Sequence, residues 1–316
     1  MITKRTVFVL GAGASNPYNF PIGTELADLI RVDEGSISKI LPALAIPNGD
    51  ELFAELRHKL QHGPDGSIDQ LLGRSTEYHL KDVGKLAIAY VLIGREQEHD
   101  LGRGGPPTKW HFHLLSQLLD KCDTLEAFHN NKVSVVTFNY DRSLEQGLFL
   151  GVKCRFYKAT DTAVANAVSS IPVIHVHGHL GLLPWQGGGV VSRPYENKRT
   201  SELVRTASQN IQIISDVDKD TPDFQRARQL LAEAERIYIL GFGYHDLNME
   251  RLKVPFDDQH KYIVGTSFGM AGLWRGQVNA KYFAKHPGRL DHHHDYYLLE
   301  NDPCFWQDNV PLIIKK

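Results

Sequence analysis

Three kinds of short stretch carry residues fit for chemistry. In Ile174-His175-Val176-His177-Gly178-His179-Leu180 the histidines alternate, so a strand would set three imidazoles on one face if Gly178 keeps the register. Such a face suits a zinc or iron ligand set, although no acidic residue lies beside it and metal triads draw on other segments. His177, directly before the glycine, equally suits a general base near neutral pH; the plain alternative is a core or rim histidine bonded to backbone. In Thr137-Phe138-Asn139-Tyr140-Asp141, Asn139 offers an amide and a carbonyl to a sugar hydroxyl or a water. Asp141 there is placed to cap a helix starting near Ser143. Gly11-Ala12-Gly13-Ala14-Ser15 and Gly241-Phe242-Gly243-Tyr244-His245-Asp246 make tight turns through which backbone can approach a phosphate. The third glycine of the dinucleotide fingerprint is replaced by Asn16, while Ala14 and Ser15 remain small. Glycine turns are also ordinary strand-to-helix punctuation. Asp246 and Asn248 suit a helix cap or ribose hydroxyls, and Gly265-Thr266-Ser267 offers hydroxyls and amides to an anion. His292 to His294, with Asp291 and Asp295, read as a polar loop.

The elements that must hold these residues alternate. Val7 to Leu10 is an apolar run of the kind buried on both faces of a parallel sheet. Further strands are expected at Lys132 to Phe138, Pro172 to Val176, Arg236 to Leu240 and Tyr262 to Gly265, weakly at Cys154 to Tyr157, and last at Pro311 to Ile314. Thr24 is expected to cap a helix from Glu25, after a proline-broken loop (Asn16 to Gly23) that could lie over a ligand. From Gly49 to His129 the periodicity is helical: Leu52, Leu56 and Leu60; Ile68, Leu71, Leu72 and Tyr78; Val83 to Leu92; and Trp110 to Leu119. Pro222 to Ala234 and Met270 to Phe283 are helical too. Lys158 to Ser170 has no period, while His99 to Pro107 and Gly187 to Gly189 read as loops. Strands ending in glycine, alternating with helices, predict a mostly parallel sheet with ligands at its C-terminal edge.

At 316 residues, 42% hydrophobic and 23% charged, the chain is long and apolar enough to bury a large core. A formal charge of −2 gives no global field toward nucleic acid or anionic lipid. Cys122, Cys154 and Cys304 are dispersed, which argues against a cysteine zinc site or a disulfide framework and fits a reducing, cytoplasmic setting. No window approaches the apolar length of a membrane span.

Taken in order, GAGAS (Gly11 to Ser15), TFNYD (Thr137 to Asp141), VHG (Val176 to Gly178) and LGFGYHD (Leu240 to Asp246) resemble the Sir2 (sirtuin-like) superfamily, in its divergent bacterial branch found in anti-phage defence. The resemblance implies a single α/β domain over residues 1–316. Residues 1–23 and 131–316 would form a Rossmann-like NAD-binding core, and 24–130 a helical insertion. It implies that Gly11, Ala12, Gly13 and Ser15 cradle the NAD phosphates. Asn139 would orient the nicotinamide ribose and a water, and His177 would be the catalytic histidine. Gly241 and Gly243 would line the adenosine side, with Asp246 in a polar turn, and Thr137 and Asp141 would complete the binding set, Asp141 by holding its loop. The chain departs from sirtuin deacylases in lacking a four-cysteine zinc ribbon. It also carries Phe20-Pro21-Ile22-Gly23-Thr24 where they have GIPDFR. The defence branch shares these losses and is similar to NAD glycohydrolases. The resemblance therefore implies hydrolysis of NAD to ADP-ribose and nicotinamide without a metal, restrained by homo-oligomerisation or by a partner such as an ATPase or helicase. An NAD-dependent protein deacylase and an NAD- or ADP-ribose-sensing module are the competing expectations.

Overall fold

Strand β1, Thr6–Leu10, is buried along its whole length, and the sheet extends to both sides of it. In the computed structural model, residues 1–44, 46–102, 109–187, 192–213, 221–284 and 288–306 are described. The other strands are β2 (Val133–Thr137), β3 (Val173–His175), β4 (Arg236–Leu240), β5 (Tyr262–Thr266) and β6 (Arg289–Asp291). They run in the order β3-β2-β1-β4-β5-β6, every pairing parallel. This is the doubly wound Rossmann-like order, with its switch point between β1 and β4. Leu10 lies opposite both Thr137 and Leu240, and Thr137 lies opposite His175. The turns that carry the candidate chemistry therefore leave the sheet at one level.

Alternation along β1 sorts the core into two layers. Phe8 and Leu10 face one layer, with Tyr238 and Leu240; Val7 and Val9 face the other, with Ile237 and Ile239. The first layer receives the helices between β1 and β2: α1 (Ala12–Ser15), α2 (Gly23–Arg31), α3 (Gly49–His62), α4 (Ile68–Arg74), α5 (Tyr78–Ile93) and α6 (His111–Leu119). After β2 come α7 (Ser143–Arg155) and α8 (Asp161–Val168), and after β3 come α9 (Ser201–Gln209) and α10 (Pro222–Glu233). Helix α11 (Asp246–Leu252) follows β4; α12 (Gly272–Val278) follows β5 and runs into a π turn, Asn279–Phe283. Helices α13 (Asp295–Asn301) and α14 (Pro303–Trp306) follow β6. No helix of the described residues is long and apolar enough to cross a membrane.

Polar contacts lock the helical insertion to the sheet. Trp110 Nε1 donates to Ala14 O at 2.7 Å, and the Tyr140 hydroxyl donates to Asp69 Oδ1 at 2.7 Å. Deeper still, Arg142 grips Glu96 through both oxygens, at 2.9 and 2.7 Å, and Arg193 reaches the same carboxylate. Glu96 is fully buried, so removing either arginine would strand part of its charge in a medium that solvates it poorly.

Several local expectations are corrected. Cys154 and Arg155 end α7 rather than starting a strand, because a helix already propagating from Ser143 outweighs a four-residue strand signal. The segment without a period holds α8, whose small residues hide the pattern and whose N-cap is Thr160, accepting from Ala163 N. Helix α2 begins at Gly23 rather than at a Thr24 cap, and Glu25 Oε2 accepts from Ile22 N instead. Tyr78 starts α5 and is exposed. The Asn16–Gly23 loop buries Tyr18 and Phe20 in the core. Strand β6 was not expected at all. Pro311 to Ile314, Gly188, Gly189 and residues 103–107 lie outside the described residues.

The glycines of the two turns are required by backbone crossing backbone. A Cβ on Gly11 would lie 2.5 Å from Gly241 O and 2.7 Å from Phe242 Cα. Gly241 has φ +56°, and a Cβ there would lie 2.0 Å from Ala14 N. Gly11→Ala is expected to lower stability by about 1–3 kcal/mol, the usual penalty for overpacking. Gly276→Ala, in α12 with open space around it, is the control, expected to be neutral or to stabilise by up to about 1 kcal/mol. Urea denaturation midpoints of the two variants check the contrast; equal midpoints would mean that the turns part freely.

Candidate functional site

Three turns meet above the C-terminal ends of β1, β2 and β4, tied by backbone groups. Gly13 N donates to Gly241 O at 2.9 Å, joining the first turn to the third. Asn139 joins the second: its Nδ2 donates to Gly11 O and to Ser15 Oγ, both at 2.9 Å. Because Gly11 O can only accept, this bond also fixes which way the amide faces. Asn139 N donates to Thr137 Oγ1 at 3.1 Å, so Thr137 braces the turn from the strand end. Asn139 Oδ1 has no hydrogen-bond partner among the described residues.

The expected site residues thus fall into two groups. Gly11, Ser15, Thr137 and Asp141 are buried and hold the turns, whereas Ala12, Gly13, Asn139, Gly241 and Gly243 keep exposed surface. Asp141 accepts from Ser143 N at 3.0 Å and from the Ser143 hydroxyl, securing the start of α7. Burial raises its pKa, with the Ser143 and Ser15 hydroxyls pulling the other way. Asp246, the first residue of α11, instead pairs with Lys281 Nζ at 2.6 Å and accepts from the Tyr282 hydroxyl, toward the π turn.

The three histidines do not share a face. Strand β3 ends at His175, and Gly178 adopts φ +77°, where a Cβ would overlap Asn210 O at 1.9 Å. The turn sends His177 into the core, 3% exposed, its ring edge-on to Phe138 at 5.3 Å and to Phe224 at 5.8 Å. Neither ring nitrogen has a hydrogen-bond partner of normal geometry among the described residues. Burial first, then the positive charge of Arg251, lowers its pKa to about 4, against a smaller upward pull from the Gln212 backbone. The imidazole is therefore neutral at pH 7. Among the described residues, no group of three or more His, Cys, Asp or Glu is arranged to hold a metal ion.

His175 and His179 stay together, ring centroids 5.2 Å apart, beside the buried Glu145 of α7. They border a cleft of about 530 Å³ along edge strand β3, lined also by Trp185, Asn210 and Asp223. Neither glycine turn, nor Asn139, nor His177 lines this cleft. A small void, about 10 Å³, lies under the Asn139 turn between Ser15, Asp141, Glu145 and His175; it is at the lower limit for a single water.

Two residues of this region escape a reading of the sequence. Glu145 looks like a solvent-facing, dipole-favoured acid in a first helical turn; its position beside Leu144 and Leu148, which are buried, is the signal that it faces inward. Asp295 sits in a polar run yet is buried, accepting from Thr266 Oγ1 at 2.6 Å and from Gly241 N at 3.0 Å. It braces the turn after β4. Burial raises its pKa to about 6, only partly offset by those two hydrogen bonds.

A carboxyl whose folded pKa lies above the unfolded one favours folding while protonated. That contribution is complete below the model-peptide value of 3.8 and is lost as pH rises through about 6. Relative to Asp295→Asn, the parent should therefore lose about 3 kcal/mol between about pH 3.5 and about pH 8. Denaturant titrations of both proteins across that range check it; parallel curves would place the Asp295 pKa in the ordinary range.

No family model matches this chain, and no curated protein matches it.

Proposed function

We propose that the chain binds NAD across the C-terminal edge of its sheet and hydrolyses the nicotinamide–ribose bond, releasing nicotinamide and ADP-ribose. The observation that carries this reading is the junction of the Gly11–Ser15, Thr137–Asp141 and Gly241–Gly243 turns at the β1/β4 switch point, where doubly wound sheets bind nucleotides. The ordered motifs support a place in the Sir2 superfamily on the same ground. In this reading the phosphates meet the exposed backbone of Ala12, because Gly13 N is already engaged by Gly241 O, and Gly243 lies on the adenosine side.

The nicotinamide leaves NAD from a cationic state, so no strong acid is required. The protein has to stabilise an oxocarbenium-like ribose and position a water. Asn139 Oδ1, without a hydrogen-bond partner among the described residues, can accept from a ribose hydroxyl or the water. His177 is neutral at pH 7, and neither ring nitrogen has a hydrogen-bond partner of normal geometry among the described residues; buried unsatisfied groups need an explanation, and a ribose hydroxyl is one that fits. Phe138 has to move off the ring for that contact to form. An enzyme that empties a cell of NAD needs restraint, which favours self-association or a gating ATPase or helicase partner; a monomeric sedimentation profile, unchanged by candidate partners, would argue against it.

Sealing of His177 between Phe138 and Phe224 favours a second reading, in which the chain senses NAD or ADP-ribose without cleaving it. Calorimetric titration with NAD, together with chromatographic assay of nicotinamide release, separates the two. The first reading expects release that falls by roughly 10²–10⁴-fold in His177→Ala, the usual worth of a positioned base, and a comparable fall in Asn139→Ala with NAD still binding weakly. Binding without release supports the sensor. No binding of NAD or ADP-ribose by the folded protein would defeat both.

A further inference from the structure

His175 is held by two oxygens that, in an ion pair, can only accept. Its Nδ1 lies 2.8 Å from the backbone oxygen of Asn139, and its Nε2 lies 2.7 Å from Glu145 Oε1. A carbonyl has no proton to give, and once Glu145 is ionised its carboxylate has none either, so in the ion pair both ring nitrogens carry hydrogen. Both side chains are 7% exposed, which removes the water that would otherwise screen the pair.

We propose that His175 and Glu145 form a buried imidazolium–carboxylate pair whose task is to hold the Asn139 turn, making His175 a positioning residue for the ribose-orienting amide. The proposal rests on the reading of Asn139 given above. Asn139 is gripped on both sides. His175 Nδ1–H holds its carbonyl, while its own Nδ2 holds Gly11 O and Ser15 Oγ on the glycine turn. Loss of the His175 proton would leave Nδ1 or Nε2 facing an acceptor without a hydrogen, so that either the Asn139 carbonyl or its Glu145 anchor would lose its bond to the ring.

The surrounding charges agree with this assignment. Burial works against the charge on each partner, yet Glu145 outweighs it and raises the His175 pKa, helped by the Asn139 carbonyl and by Asp141. At Glu145 burial is likewise the largest single influence, but His175, with help from the backbone and His179, lowers the pKa against it. His179, on the same segment, accepts from Gly181 N through Nδ1 at 3.0 Å and so carries its proton on Nε2; burial and then the charge of His175 keep it neutral. From α10, Asp223 lies at the rim of the same cleft and adds a negative charge. The pair therefore stabilises the fold fully between the ordinary Glu and His values, 4.5 and 6.5. It weakens as pH falls through the lowered Glu145 pKa or rises through the raised His175 pKa.

The test needs no substrate in its first arm. Nitrogen-15 spectra of the histidine-labelled parent are expected to show His175 doubly protonated at about pH 7 and losing that proton only above the ordinary histidine range. A neutral His175 at pH 7 overturns the proposal. In the second arm, exchange of the Asn139 side-chain amide is followed by NMR. Glu145→Gln should exchange roughly tenfold or more faster than the parent at about pH 7.5, the scale of one charge-assisted hydrogen bond, and Glu145→Asp should restore much of the protection. Equal exchange in parent and Glu145→Gln also overturns it. If Glu145→Gln does not fold, the parent's own amide exchange decides: it should quicken at the pH where His175 titrates, beyond the intrinsic rise with hydroxide. Nicotinamide release, where present, should show its alkaline limb shifted to lower pH in Glu145→Gln with KM changed less than kcat. Failure of NAD release in every protein would count against the proposed function alone, because the two NMR arms read the pair directly.

Discussion

The crossing of two bare backbones constrains everything near the sheet edge. The turns after β1 and β4 touch with no room for a Cβ at Gly11 or Gly241, and Gly13 N closes the contact by bonding to Gly241 O. Buried peptide groups must find partners, and here each turn satisfies the other. This brings the two strand ends close enough for Asn139, from the next strand over, to reach Gly11 O and Ser15 Oγ with one amide group. A side chain on either glycine would pull apart the platform on which Asn139 rests.

Charge is distributed around this platform according to what can partner it. Glu96 is removed from water entirely but is met by Arg142 and Arg193; Glu145 is met by His175. Where an opposite charge is at hand, attraction opposes desolvation: it prevails at Glu145, whereas at Glu96 burial still raises the pKa against Arg142 and Arg193. Where it is not, the group neutralises instead. His177 sits among phenyl rings with Arg251 nearby and gives up its proton. Asp295, with hydrogen bonds but no cation among the causes of its shift, holds its proton to about pH 6. Two histidines two positions apart therefore end in opposite states, because His175 at the end of β3 meets Glu145 while the turn that follows the strand carries His177 to Phe138.

The helical insertion contributes to the same region from the other layer. Trp110 fixes Ala14 O, Tyr140 reaches Asp69 of α4, and Arg142 holds Glu96 just past α5. The first glycine turn and the start of α7 are thus braced by helices that lie between β1 and β2 in the chain. Insertion and sheet share one hydrophobic layer, which is why no flexible linker separates them in the sequence.

The local pattern of residues sufficed for the sheet: apolar runs ending in glycine, alternating with helical periods, specify parallel strands because both faces of each strand must be buried. It also sufficed for the two glycine turns, since only glycine permits such close approach. It failed where the signal was short or chemically ambiguous. The β3–β4 connection hid α9, small residues masked α8, and three-residue β6 is too brief to show a period. Which way His175 and His177 point, the inward face of Glu145 and the burial of Asp295 were decided only by tertiary structure. Each depends on which distant segment supplies the partner, and a side chain's charge and direction follow from that neighbour rather than from its place in the chain.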